Sequence, residues 1–256
     1  MIKIEYSELL TELREVARDA GSEIMKIYES SFDVNYKGDG SPVTLADQAA
    51  EKIILSQLKK IIPDIPIVSE ENASSHELEA GDQFFLIDPL DGTKEFLKKD
   101  GLGSFTVNLG LIENGIPTLG VVFAPALNRM FFASNLTGAF EESENGFKEI
   151  KIREVPNSGP VAVASVSHRD ELTDNWLQDN NVKKTVSIGS SLKFCLVACG
   201  EADVYPRFGP TMEWDTAAGD AVLRSAGGSV LLPNSQPFSY GKQSYRNSAF
   251  IAHGNF

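Results

Sequence analysis

Four consecutive apolar residues, Phe84-Phe85-Leu86-Ile87, run straight into Asp88-Pro89-Leu90-Asp91-Gly92-Thr93-Lys94-Glu95-Phe96. The apolar run predicts a strand buried on both faces. Pro89 cannot donate to a ladder, so the chain is expected to leave the sheet after Asp88. Two carboxylates three residues apart then stand at the end of a buried strand, with Gly92-Thr93 opening a helix. Anions there are costly unless a cation neutralises them, and a hard divalent ion such as Mg²⁺ is the natural partner for clustered oxygen donors. The structural alternative is a helix cap at Asp91 and an ordinary turn at Asp88.

The chain of 256 residues is 42% hydrophobic and 23% charged, enough to bury a large core as one domain or two lobes. Its net charge of −13 argues against a nucleic-acid duplex as partner, since duplex binders carry basic stripes. A small anionic substrate stays compatible, because bound cations invert the field where carboxylates cluster. No apolar run is long enough to span a bilayer, and Met1 to Glu5 lacks a signal-peptide pattern. Cys195 and Cys199, four apart in a helical pattern, read as free core thiols. A cytoplasmic location is expected, with peripheral association at the inner membrane face left open.

In chain order, apolar spacing predicts helices over 8–29 and from Thr44 to about Leu58, with a glycine-rich loop at 37–42 between them. Asp47 has a structural reading as a first-turn acid, in capping-box spacing from Thr44. A short strand at 65–69 runs into Glu70-Glu71, repeating the arrangement of Asp88 and Asp91; a solvated loop is the alternative. Residues 72–82 show no periodicity. From 105 to 152 the pattern is an antiparallel meander, turned at Glu113-Asn114-Gly115 and Asn145-Gly146. Pro156-Asn157-Ser158-Gly159-Pro160 is the expected boundary between an N-terminal α+β lobe (1–155) and a C-terminal α/β lobe (156–256). Beyond it strands and helices alternate: strands at 161–165, 184–188, 202–205, near Val230 and at 249–252, helices at 170–179, 190–198 and 214–226. Asp215 heads the last helix, where an N-cap role is the plain alternative, and Ala217-Ala218-Gly219 make its first turn narrow enough for close backbone approach.

Asp47, Glu70-Glu71, Asp88-Pro89-Leu90-Asp91-Gly92-Thr93 and Trp214-Asp215, in this order, resemble the inositol monophosphatase superfamily of Mg²⁺-dependent, lithium-sensitive phosphatases. Within it, Gly189-Ser190-Ser191-Leu192-Lys193 and Tyr205-Pro206-Arg207-Phe208-Gly209-Pro210-Thr211 are most similar to the CysQ-type 3′(2′),5′-bisphosphate nucleotidases. The resemblance implies a layered α/β/α/β/α sandwich, its first lobe carrying most metal ligands. It implies two Mg²⁺ ions held by Glu70, Asp88, the Leu90 carbonyl, Asp91 and Asp215, with a third ion within reach of Glu70. Thr93, with Asp47 behind it, would orient the attacking water, Gly92 and Thr93 N–H groups would bind phosphate, and Glu71 would hold metal-bound water.

Nucleotide contacts are implied for His168, Ser190, Lys193 and Arg207. Their structural alternatives are a capping His168, a Lys193 on a solvated helix face, and an Arg207 paired with a surface acid. The implied reaction removes the 3′-phosphate of adenosine 3′,5′-bisphosphate, giving AMP, with the 5′-phosphosulfate analogue as a further implied substrate, in recycling the by-product of sulfate activation. Inhibition by Li⁺ goes with it, and a homodimer stays open. The alternatives are an inositol or sugar phosphate phosphatase on the same scaffold, and a non-catalytic cation or nucleotide sensor.

Overall fold

The computed structural model describes residues 5–30, 34–36, 42–79, 81–99, 101–144, 146–165 and 169–256, leaving out the side chains of 34–36 and 42–44. Helix α1 (Tyr6–Glu29) is followed by the short antiparallel pair β1 (Val34–Tyr36) and β2 (Pro42–Thr44), then α2 (Leu45–Ile61) and β3 (Ile67–Ser69). The glycine-rich loop falls on residues 37–41, outside the described residues, and so does the Thr44 side chain that would cap α2. A 3-10 helix (Ala73–Glu77) occupies part of the aperiodic stretch; it is too short to write a period into the sequence.

Next come β4 (Gln83–Asp91), α3 (Thr93–Lys98), β5 (Thr106–Glu113), β6 (Ile116–Ala124), β7 (Arg129–Ser134), β8 (Gly138–Ser143) and β9 (Gly146–Glu149). They form a seven-stranded sheet in the order β3-β4-β5-β6-β7-β8-β9. Asn114 and Gly115 both have positive φ, which the tight β5–β6 turn requires. The second half contains β10 (Val161–Ser165), α4 (Glu171–Asp179), β11 (Lys184–Ile188), α5 (Leu192–Ala198), β12 (Val204–Arg207), β13 (Thr211–Met212), α6 (Ala217–Ser225), β14 (Ser229–Leu231), β15 (Arg246–Asn247) and β16 (Phe250–His253). A five-stranded sheet runs β11-β10-β12-β16-β14, and β13 pairs with β15 apart from it.

Burial sorts these elements into the expected five layers. Phe85 and Ile87 of β4 join Leu13, Val16 and Ile24 of α1 and Ala50, Ile54 and Leu58 of α2 in one core. Phe84 and Leu86, pointing the other way along the same strand, join a second core with α5, α6 and the inner face of the five-stranded sheet. Ala162, Val204 and Ile251 on that sheet's outer face pack with Leu177 of α4. Burial of both faces explains the unbroken apolar run at 84–87. Each such side chain contributes about 1.5–3 kcal/mol relative to exposure.

Two expectations are corrected here. β4 does not end at Asp88: pairing with β5 resumes at Asp91 opposite Thr106, with the register shifted between Asp88 and Asp91. Pro89 therefore sits inside an irregularity, which re-aims both carboxylates instead of ending the strand. α6 starts at Ala217, after the N-cap Thr216, so Asp215 lies in the turn ahead of it. Its carboxylate accepts the Met212 N–H at 2.8 Å.

Candidate active site

Parallel pairing builds the first part of the site. β3 and β4 run parallel with Ser69 opposite Ile87, so the next residue on each, Glu70 and Asp88, emerges side by side at the carboxyl ends. The Glu70 N–H donates to the Ile87 carbonyl at 3.1 Å. Asp215 arrives from the second half of the chain because α6 lies close on β5 and β6. A Cβ added at Gly110 would stand 2.9 Å from the Ala218 nitrogen, and one at Gly120 would stand 2.3 Å from the Ala218 carbonyl oxygen. The small first turn of α6, Ala217-Ala218-Gly219, permits this approach on both sides, with Phe194 against Gly219.

Carboxylate oxygens of Glu70, Asp88 and Asp215 all lie within 4.8 Å of one another, the single group of three such donors among the described residues. Asp88 is buried, and burial together with the charges of Glu70, Asp91, Asp215 and Asp47 holds its carboxyl well above the usual range. Burial, then Asp91 and Glu70, does the same to Asp215. Asp91 is raised by burial but opposed by Lys193, the Ser191 N–H and Asn108. Such a set of oxygen donors fits a hard cation, which would remove the repulsion that otherwise favours protonated acids. The sign gives an expectation for the cation-free protein. These acids bind protons more tightly folded than unfolded, so their contribution to stability is complete at acid pH and is lost as pH rises through the raised values. The thermal midpoint should therefore decline as pH rises from the ordinary carboxylate range to the raised values, and level off above them. A saturating divalent cation should flatten the decline; equal profiles with and without it would contradict this.

Asp91 is held by groups the sequence did not signal. The Ser191 N–H donates to its Oδ2, and Asn108 Nδ2 approaches the same oxygen at 3.4 Å. Ser191 Oγ also donates to Asn108 Oδ1 at 2.6 Å and lies 2.9 Å from Thr106 Oγ1. These partners stand up to a hundred residues apart, beyond any local pattern. The Leu90 N–H donates to Asp88 Oδ1 at 3.1 Å, and Thr93 Oγ1 donates to the Leu90 carbonyl at 3.3 Å. Gly92, at φ 93°, is the left-handed N-cap of α3 and brings the first N–H groups of that helix to the cleft. Asp47 is buried in the first turn of α2, near enough for its charge to act on Asp88.

A cleft of about 340 Å³ joins Glu70, Asp91, Gly92, Thr93 and Asp215 to Ser190, Lys193 and Arg207. Ser190 takes a left-handed φ of 53°. Lys193 is 4% exposed, which overturns the solvated-face alternative. Its ammonium donates to the Ser190 carbonyl at 2.5 Å and lies over the Tyr205 ring. Burial pulls its pKa down to about 8, opposed by Asp91. Arg207 is not a surface residue paired with an acid: it is buried and donates to the Gly209 and Pro210 carbonyls at 3.2 and 3.0 Å. Glu71 is half-buried beside Glu70, and His168 lies outside the described residues. Cys195 and Cys199 are free thiols, and burial raises both.

The inositol monophosphatase family profile matches residues 5–255. The chain belongs to that family, and with it to the metal-dependent phosphatases. Among curated proteins it is 44% identical to the 3′(2′),5′-bisphosphate nucleotidase CysQ of Escherichia coli (strain K12) over 246 residues, 94% of this chain and 98% of the relative. It is 47% identical to the CysQ of Salmonella typhimurium over 225 residues, 87% of this chain and 89% of that one. The crystal structure of CysQ from Bacteroides thetaiotaomicron superposes with a TM-score of 0.87 at 35% identity, covering 99% of this chain and 100% of that chain. A Thermotoga maritima IMPase superposes at 0.78 with 27% identity, covering 94% and 90%. The layered sandwich and the CysQ-type resemblance of the motifs are thus borne out. Among the described residues no helix is long and apolar enough to cross a membrane.

Proposed function

We propose that the chain is a Mg²⁺-dependent 3′(2′),5′-bisphosphate nucleotidase, converting adenosine 3′,5′-bisphosphate to AMP and phosphate and acting likewise on the phosphosulfate analogue. One observation carries this reading: a single cleft is lined both by the carboxylates Glu70, Asp91 and Asp215 and by the buried cations Lys193 and Arg207. A substrate with two phosphates, one to be cut and one to be held, matches that division of charge. The nucleotidase names of the relatives above agree with it. The cellular role proposed is removal of the by-product of sulfate activation.

Mg²⁺, two ions with a third in reach of Glu70, would be held by Glu70, Asp88, the Leu90 carbonyl, Asp91 and Asp215, neutralising phosphoryl oxygens and sharpening an attacking water. The chain supplies the rest. First-turn N–H groups of a helix have no intrahelical acceptor, and those of Gly92 and Thr93 bind the phosphate to be removed. The Thr93 hydroxyl, with Asp47 behind it, orients the water and passes on its proton. Glu71 steadies water at the rim. Lys193, Arg207, Ser190 and His168 hold the adenosine 5′-phosphate. Phosphoryl transfer asks mainly for positioning and charge neutralisation, and no enzyme nucleophile is invoked. The pair of lobes meeting at 156–160 is part of this proposal, as are Li⁺ sensitivity and a cytoplasmic setting.

The test is phosphate release with Mg²⁺ from adenosine 3′,5′-bisphosphate, inositol 1-phosphate, fructose 1,6-bisphosphate and AMP in parallel, each with added LiCl or NaCl. Preference for the nucleotide bisphosphate, lost in LiCl alone, is the expected result; preference for inositol phosphate would overturn it. Thr93→Ala should lower kcat while leaving KM and Mg²⁺ affinity near the parent, because the phosphate-binding N–H survives the change. An unchanged kcat with a large rise in KM would reassign Thr93 to binding.

A further inference from the structure

Asp215 has no regular element of its own to hold it, since it lies between β13 and α6. The two residues that precede it, Glu213 and Trp214, are each fixed by the surrounding structure. Glu213 is fully buried, and its carboxylate accepts the N–H groups of Gly241 and Lys242 at 2.8 and 2.9 Å and the Lys242 ammonium at 2.7 Å. Its own N–H donates to the Tyr245 carbonyl at 2.8 Å, and its carbonyl accepts the Ala217 N–H that opens α6. Through its side chain and its backbone, this one residue therefore joins the Asp215 turn, the head of α6 and the segment at 241–245. That segment holds two consecutive non-glycine residues, Ser244 and Tyr245, at positive φ, a conformation that persists only where surrounding contacts impose it.

Between Glu213 and Asp215, the Trp214 ring stacks on His76 with centroids 4.7 Å apart. The indole N–H is buried without a hydrogen-bond partner, so the ring is held by packing alone. His76 Nε2 lies 2.8 Å from the Ser69 carbonyl, one residue before Glu70. The path Glu213–Trp214–His76–Ser69 thus links the backbones of two carboxylates, Asp215 and Glu70, that come from opposite halves of the chain and meet at the cluster.

We propose that Glu213 is a positioning residue for the cation site: by gripping 241–242 it sets Asp215 against Asp88, and through the Trp214–His76 stack it sets Asp215 against Glu70. The inference rests on the reading that these carboxylates hold Mg²⁺. Glu213 touches neither substrate nor cation. Its charge-assisted bonds to two consecutive N–H groups are stronger than neutral ones, and an amide in its place offers one acceptor where two are used. Partners that orient ligands in this way typically carry about 10–100-fold in metal affinity.

The experiment is calorimetric titration of the substrate-free full chain with MgCl₂, for the parent, Glu213→Gln and His76→Phe, beside thermal midpoints and kcat at limiting and saturating Mg²⁺. Glu213→Gln should weaken Mg²⁺ binding by about 10–100-fold, with kcat recovering toward the parent at saturating Mg²⁺. His76→Phe keeps the stack on Trp214 and loses the bond to Ser69, so it should weaken binding less and leave the Mg²⁺-free midpoint unmoved. A Glu213→Gln protein with a lowered midpoint and parental Mg²⁺ affinity would overturn the inference, as would parental affinity in both variants. Should Glu213→Gln not fold, parental affinity in His76→Phe overturns it by itself. A parent chain that binds no Mg²⁺ overturns the proposed function and this inference together; a parent that binds while the variants match it overturns this inference alone.

Discussion

Replacing Asp88 by Asn lowers turnover of the nucleotide bisphosphate by more than about a hundredfold, past the range that outer partners of a metal site cost, and raises the thermal midpoint of the Mg²⁺-free protein. Both effects have one cause. Asp88 is 1% exposed and faces the charges of Glu70, Asp91, Asp215 and Asp47. The neutral amide keeps the Oδ1 that accepts the Leu90 N–H, so the irregularity in β4 survives. What disappears is the charge at the centre of the repulsion. Each ~1 kcal/mol recovered in a chain of this size is worth about 2–4 °C in midpoint. The opposite movement of the two readouts is diagnostic: a variant that is less stable without Mg²⁺, or turns over within tenfold of the parent, would remove Asp88 from the centre of the site.

Arg207→Glu separates a nucleotide enzyme from a sugar-phosphate enzyme. The guanidinium lines the cleft and braces the Gly209 and Pro210 carbonyls. A planar fork of donors suits a phosphate or an adenine face and gives a neutral polyol little. The substitution should cost adenosine 3′,5′-bisphosphate turnover about 2–5 kcal/mol in kcat/KM, the range for truncating a desolvated charge contact. A small sugar phosphate that cannot reach Arg207 should lose far less. Since both substrates share the carboxylates, damage to the 209–210 backbone reaches both, and the difference isolates recognition. Equal losses on the two would withdraw the nucleotide assignment of Arg207.

How much of this was readable in the sequence follows the range of the forces involved. Strands β10 and β11 fall on the expected residues 161–165 and 184–188, and the turn after Glu113 falls on Asn114-Gly115, because alternation and left-handed backbone are written locally. Lys193 was harder. All seven residues of α5 are buried, since the helix lies between two sheets, so it has no polar face from which the fate of its one lysine could be read. The signature at 88–96 marks carboxylates, but what holds Asp91 is Ser191 and Asn108, and what stacks on Trp214, the residue before Asp215, is His76. A residue's partner across a sheet or between layers leaves no periodic trace. Asp215 was misplaced by two residues from its helix start because a capping acid and a turn acid look alike in one dimension.

Gly120 leads to a conclusion about tolerance. A single methyl group there would meet the Ala218 carbonyl at 2.3 Å, backbone against backbone, with no flexible side chain to absorb it. α6 would have to back away from β6, and the Asp215 turn that feeds its first residue would move with it. The gauge of the site, the gap between an acid borne by the sheet and an acid borne ahead of the helix, is therefore set by hydrogen atoms where other residues carry carbon. A chain that kept every carboxylate but gained one methyl at position 120 would present the same chemistry at the wrong spacing.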